Sequence, residues 1–340
     1  MVKTNVHHHE TVHPSESHLT LYAQGDVGKV ALAGEVVDPL LETWQQQRER
    51  LTSLPVNEQG LDLDSVREHE SKMGLSESQI LFLDPESYKR AVDIANESEA
   101  YTRDSRSKDS GGRYLFVLDV IIVQRDPELE ALNGVGLTAG SAVHEVTHSA
   151  SMLAALSASV MTRKKRSLFG SKEEVDVTFN IRRFGSRVRI EKDESLQGKS
   201  LEEGIAELER GYFNEEIGRP NGLTDEATAK RFGPLAKYSY YDRNDKGDIY
   251  VTRPEGAYLA VVLENLVAAD PDLLPAIRAR TSVEGSRDMV RRINKLVPGL
   301  YKRMRELEVV PNDEESMAKV GDCIEAARDA RAAKGSNSIH

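Results

Sequence analysis

Apolar positions recur at helical spacing over Gly34–Leu54, where Val36, Val37, Leu40, Leu41, Trp44 and Leu51 share a face and Pro55 ends the element. Asp64–Met73 reads as a short helix. Gln79–Asp84 is a brief, almost wholly apolar run, the signature of a buried strand. Pro85 then opens a helix over Glu86–Ala100, with Tyr88, Ala91, Val92 and Ala95 on one side. After a charged loop, Thr102–Gly112, comes the strongest strand signal in the chain, the β-branched and aromatic run Arg113–Gln124. A loop through Asn133-Gly134-Val135-Gly136 leads to a largely uncharged helix that the pattern carries on to Val160-Met161. Such a helix is expected to be buried on most sides.

Past this helix the basic run Arg163-Lys164-Lys165-Arg166 reads as a solvated loop, favoured where a helix ends. Val175–Arg182 alternates apolar and polar residues, and Arg187–Glu191 returns, so the two form a predicted β-hairpin. Ser200–Phe213 is a helix with Leu201, Ile205, Leu208 and Tyr212 as its apolar stripe, and Ser200 with Glu203 fits a capping box. Further helices are expected at Glu226–Ala236, Gly256–Ala269, Leu273–Arg280, Ser286–Leu296, Tyr301–Leu307 and, peripherally, Ser316–Ala333. This divides the chain into a disordered His-rich tail (1–25), an N-terminal helix and strand region (26–110), a central core (111–215), a helical C-terminal subdomain (216–310) and a charged tail (311–340). The expected fold class is α+β.

Composition adds exclusions. The chain has 340 residues, 39% hydrophobic and 30% charged, as in a globular protein. Its net charge of −11 argues against nucleic acid or an anionic membrane as partner. One cysteine, Cys323, rules out an intrachain disulfide. Neither a signal peptide nor a membrane-spanning run is visible, and a cytoplasmic location is the expectation.

The chemistry concentrates at His144-Glu145-Val146-Thr147-His148. On a helix, residues four apart lie about 40° from each other around the axis, so His144 and His148 can aim two imidazoles at one point. Glu145 flanks that point and can take a proton from a metal-bound water. Two imidazoles and a carboxylate in an uncharged helix need partners, which a Zn²⁺ ion would supply. A catalytic zinc site usually adds a third protein ligand. Glu203 on the downstream helix is the best-placed candidate, with Glu202 and Glu207 competing. Glu207, one turn beyond Glu203, is also suited to orient a ligand histidine through its outer nitrogen.

These motifs, in this order, resemble those of the gluzincin zinc metallopeptidases, in which His-Glu-x-x-His is followed by a glutamate ligand on a later helix. Glu202-Glu203-Gly204-Ile205-Ala206-Glu207 is similar to the Asn-Glu-Gly-x-Ala-Glu type of ligand helix, with Glu202 where asparagine is frequent. The resemblance covers about Tyr114–Phe213. It implies a zincin-like core of a small sheet and an active-site helix. It also implies His144, His148 and Glu203 as zinc ligands, Glu145 as general base, Glu207 as supporting carboxylate, and a peptide or protein as substrate. A substrate would lie in extended form along a sheet edge, and Arg113–Gln124 is the expected border. Such enzymes also use a tyrosine or histidine to stabilise the oxyanion. No histidine lies between His148 and His340, which leaves Tyr241, Tyr250, Tyr258 and Tyr212, with Tyr241 taken first. The alternative is a non-catalytic zincin-like protein serving as an interaction or regulatory module.

Overall fold

In the computed structural model of the chain, the described residues are 7–9, 20–24, 42–75, 78–97, 111–115, 118–134, 136–151, 155–167, 170–181, 188–189, 196–217, 230–244, 246–281 and 283–337. Within 7–24 and 155–197 only the backbone is described.

Two strands, β1 (His7–His9) and β2 (Thr20–Gln24), precede the first helix, α1 (42–52). Then come α2 (Leu63–Lys72), β3 (Ile80–Leu83), α3 (Pro85–Asn96), β4 (Gly112–Leu115), β5 (Val120–Gln124), α4 (Pro127–Asn133) and α5 (Gly136–Ser151). Asp-Pro pairs start two of these helices: the Asp84 carboxylate accepts the Ser87 N–H, Asp126 accepts those of Glu128 and Leu129, and each proline occupies a position needing no donor.

The three strands form one sheet in the order β3-β5-β4, with β3 parallel and β4 antiparallel to β5. Leu81, Leu83, Val120 and Ile122 pack with Trp44, Leu51, Tyr88 and Val92 on one face. Ile80, Phe82, Ile121 and Val123 pack with Val66 and Met73 of the α2 region and with Ala139, Ala142, Val143 and Val146 of α5 on the other. Burial on both faces is why these strands read as continuous apolar runs.

The chain continues through β6 (Ala155–Ser167), β7 (Gly170–Ile181), β8 (Val188–Arg189) and β9 (Leu196–Gln197) into α6 (Lys199–Glu216). After it come α7 (230–232), which runs into a 3₁₀ turn at Gly233–Tyr238, and the antiparallel strands β10 (Tyr240–Arg243) and β11 (Ile249–Thr252). The C-terminal helices are α8 (Ala257–Ala269), α9 (Leu273–Arg278), α10 (Val283–Leu296), α11 (Leu300–Glu306) and α12 (Glu314–Asn337), with a 3₁₀ turn at Ala279–Thr281 between α9 and α10. Helix α6 joins the two halves: Phe213 enters the sheet core, whereas Leu201, Ile205 and Leu208 belong to the C-terminal core around α8. Two glycines permit the α6–α8 contact. A Cβ on Gly204 would lie 2.6 Å from the Leu259 Cβ, and one on Gly256 would lie 2.4 Å from the Glu203 carbonyl oxygen. The fold is thus α+β, mostly helical with small sheets. Among the described residues no helix is long and apolar enough to cross a membrane.

Several expectations are corrected. Arg113–Gln124 is not one strand but the hairpin β4–β5. The Leu118 N–H bonds the Leu115 carbonyl, and Asp119 takes a left-handed φ of 50°. Tyr114 donates its hydroxyl to the Asp119 carboxylate at 2.9 Å. The only turn-forming residue there is Asp119, a faint mark within an otherwise apolar run.

The motif helix ends at Ser151 rather than continuing to Met161, and Ala155–Ser167 is strand β6. Small and β-branched residues satisfy either period, and pairing with β7 decides. Val175–Arg182 falls largely within β7, but its partner is β6, while Val188–Arg189 pairs with β9. Arg163–Arg166 therefore lies in a strand, opposite Glu174 to Ser171.

The segment expected as a disordered tail contributes β1 and β2, and β2 runs parallel to β6. A polar segment buries little, yet its backbone can still pair along a strand edge. The charged C-terminal segment is likewise no tail. Helix α12 packs on α8 and buries Val320, Cys323 and Ala327. Finally, Ser200 is not a cap. Gly198, at φ 82°, precedes α6, and the Ser200 hydroxyl donates to Glu255 and accepts the Val309 N–H. Residues 34–41, 98–100 and 218–229, expected in part as helix, lie outside the described residues.

Candidate metal centre

Helix α5 turns its small apolar residues to the sheet, which leaves His144 and His148 on the side facing α6. Their Nε2 atoms are 3.0 Å apart. Glu203 Oε2 is 3.3 Å from the first and 3.4 Å from the second. Four ligands at zinc–nitrogen distance around a tetrahedral ion are separated by about 3.3 Å. The triangle therefore has the size of one face of such a coordination shell. Two ring nitrogens and a carboxylate oxygen so close together need a hydrogen or a metal ion between them, because facing lone pairs repel. His144, His148 and Glu203 could hold a metal ion.

The surrounding groups fit that role. Glu207 Oε1 lies 3.1 Å from His144 Nδ1, in ion-pair range though not aligned as a hydrogen bond. Arg210 in turn lies 2.5 Å from Glu207 Oε2. Burial opposes charge on His144, but Glu203 and Glu207 outweigh it and push its pKa up to about 10. The cage thus attracts positive charge even when that charge is a proton.

Of the three carboxylates that competed for the third-ligand position, Glu203 is the one at the histidines. Glu202 points away and pairs with buried Arg280 at 3.4 Å. Glu207 sits behind His144.

Glu145 belongs to the border with the sheet. Its Oε2 accepts the backbone N–H of Tyr114 on β4 at 2.7 Å. A Cβ on Gly112 would meet the Glu145 Cγ at 3.0 Å, so the strand approaches the carboxylate through a glycine. β4 is an edge strand of the sheet, and with the β4–β5 hairpin it does border the cleft, as expected of Arg113–Gln124.

A cavity of about 490 Å³ opens over these groups, lined among others by Gly112, His144, Glu145, Glu203, Tyr240 and Tyr241. Its far wall is β10, clamped to α4 by Asn133, whose side chain accepts the Tyr241 N–H at 2.8 Å and donates to the Tyr241 carbonyl at 2.9 Å. Arg243 adds ion pairs to Asp126 and Glu128.

Of the four tyrosines singled out from the sequence, Tyr241 alone is at the cavity wall. Tyr258 is buried in the C-terminal core, Tyr212 packs against that core, and Tyr250 is exposed on β11. Burial pushes the Tyr212 hydroxyl up to about 12.

Sequence reasoning missed Tyr240 and Arg210. The Arg210 guanidinium lies 4.9 Å over the Tyr240 ring, so Tyr240 sits on the side of α6 that carries Glu203 and Glu207. Burial raises the Tyr240 pKa well above its ordinary value, against the opposing effect of Arg210, so its hydroxyl keeps its proton. Arg210 was detectable in principle, because Glu203, Glu207 and Arg210 recur at i, i+4 and i+7.

Comparison with protein-family models, with curated proteins and with solved structures found no match.

Proposed function

We propose that the chain is a zinc-dependent metallopeptidase with a zincin-like core. The observation that carries this reading is the ion-sized triangle of His144, His148 and Glu203, with Glu145 held beside it at the edge of a sheet. A zinc ion bound by these three residues would act as Lewis acid and lower the pKa of its water. Glu145 then accepts a proton from the attacking water and returns it to the leaving amine. Glu207, backed by Arg210, holds the His144 ring in one orientation. Gly112 lines the cleft, and an extended peptide would pair with backbone groups of the β4 edge other than the Tyr114 N–H, which Glu145 accepts.

The support for hydrolysis of peptides in particular is the open cleft between an edge strand and a tyrosine-bearing wall. Zinc is favoured over harder cations because two of the three ligands are imidazoles. Full-length protein is expected to cleave an unstructured protein substrate such as casein. Phenanthroline should stop cleavage and added Zn²⁺ restore it. Cleavage that persists at full rate after complete metal removal would sink the proposal.

Tyr240 is the tyrosine best placed to stabilise the oxyanion, because it lines the cavity and packs under Arg210 on the side that carries Glu203 and Glu207. Removing one such donor costs about 10²–10³ in kcat. Tyr240→Phe is expected to show that loss with KM little changed, and Tyr241→Phe to retain near-normal kcat. The reverse pattern would give the role to Tyr241.

A further inference from the structure

The residues that form the triangle come from two helices separated by a long excursion, β6 to β9. Chain connectivity therefore does not set how α5 and α6 sit against each other. Yet a shift of even about 1 Å between reacting or ligating groups is costly, and here it would open a triangle whose sides are 3.0 to 3.4 Å.

Away from the cavity, the Arg280 side chain hydrogen-bonds to both helices. Arg280 stands on the 3₁₀ turn Ala279–Thr281, and its side chain is 1% exposed. Its Nη1 donates to the Ile277 carbonyl at 3.0 Å, at the end of the preceding helix α9. Its Nη2 donates to the Thr147 carbonyl of α5 at 3.2 Å and to Glu202 Oε2 of α6 at 3.4 Å. Thr147 directly precedes His148, and Glu202 directly precedes Glu203. One nitrogen thus holds the neighbour of a ligand on each helix. The turn is itself pressed against α10, where a Cβ on Gly285 would lie 1.9 Å from the Ala279 carbonyl oxygen.

A buried ion pair is a weak source of stability, since well-packed apolar residues do as well. What it supplies that apolar contact does not is direction. The guanidinium is planar and always charged, and its fork serves several acceptors at once.

We infer that Arg280 is a positioning residue for metal binding, setting the register of α5 against α6 so that His148 and Glu203 meet at one ion. This rests on the metal-site reading proposed above.

The test is Zn²⁺ affinity of the full chain, measured by competition with a chromophoric chelator. Arg280→Lys keeps a cation beside Glu202 but lacks the Nη1 arm that the Ile277 carbonyl fixes, so its single nitrogen is no longer aimed at Thr147 and Glu202 together. Losing a partner behind the ligands typically weakens metal binding by about 10–100-fold, and that loss is expected here. The matched control is Arg278→Lys. Arg278 pairs with buried Glu209 of α6 at 2.9 Å, and its hydrogen bonds all go to that carboxylate rather than to α5 or to a candidate ligand's neighbour. It should lower the melting temperature without changing Zn²⁺ affinity. Unchanged affinity in Arg280→Lys, or equal weakening in both variants, would overturn the inference. If Arg280→Lys does not fold, Arg280→Met combined with Glu202→Gln leaves no unpaired charge and is read the same way. A wild-type chain that binds no Zn²⁺ would instead overturn the metal site itself, and this inference with it.

Discussion

Replacing Glu145 by glutamine is expected to slow peptide cleavage by about 10²–10⁴-fold while Zn²⁺ stays bound. The substitution is nearly isosteric. The amide oxygen can still accept the Tyr114 N–H, so β4 stays against α5 and the cleft keeps its shape. Only the ability to take a proton is lost. The measurement is initial rate on a casein-type substrate, with zinc content determined on the same preparation. Loss of rate with zinc retained assigns the proton transfer to Glu145. Two other outcomes carry different lessons. If the variant hydrolyses at the wild-type rate, Glu145 is not the base. If neither protein hydrolyses any substrate while both bind zinc, the chain is better read as a zincin-like interaction or regulatory module.

His148→Ala should remove the metal altogether. Wild-type protein is expected to hold about one zinc per chain, since the three ligand residues form a single site. Without His148, one imidazole and one carboxylate remain, and the loss should exceed the roughly 10–100-fold that follows from removing a partner behind a ligand. Zinc measured after dialysis against a weak chelator should fall to background, and peptide cleavage with it. Retention of full zinc would show that the metal, if bound, sits elsewhere. The melting temperature is informative here too. His148 is half-buried and is not part of the apolar core, so the apo variant should unfold near the apo wild type. Metal-loaded wild type should unfold higher than both, because an ion that binds only the folded chain stabilises it.

How legible the site was differs from residue to residue. His144, Glu145 and His148 were readable because helical geometry alone converts their spacing into convergence. Glu203 was readable as a candidate, but its sequence neighbours Glu202 and Glu207 are chemically identical to it. What separates them is where each points: at the histidines, at Arg280, or at the back of His144. Tyr240 and Tyr241 show the same limit, since adjacent residues of a strand face opposite ways and only the packing of Arg210 indicates which side carries Glu203 and Glu207. The β4–β5 turn was hidden for another reason. It rests on a single left-handed aspartate, Asp119, held by the Tyr114 hydroxyl, within an otherwise apolar run.

The sequence by itself determined the α+β class, the two motif helices, the types of the candidate ligands and the carboxylate beside them. Each of these follows from local periodicity or from the chemistry of a short motif, which a few neighbouring residues suffice to specify. Tertiary structure decided the rest. It ended the motif helix at Ser151, paired β6 with β7, and folded α12 onto α8. It also chose among three glutamates and brought α4, β4 and β10 around the cavity. These outcomes depend on contacts between residues far apart in the chain. Arg280 is the clearest case: nothing near it in sequence marks it, yet it reaches the neighbours of two candidate ligands.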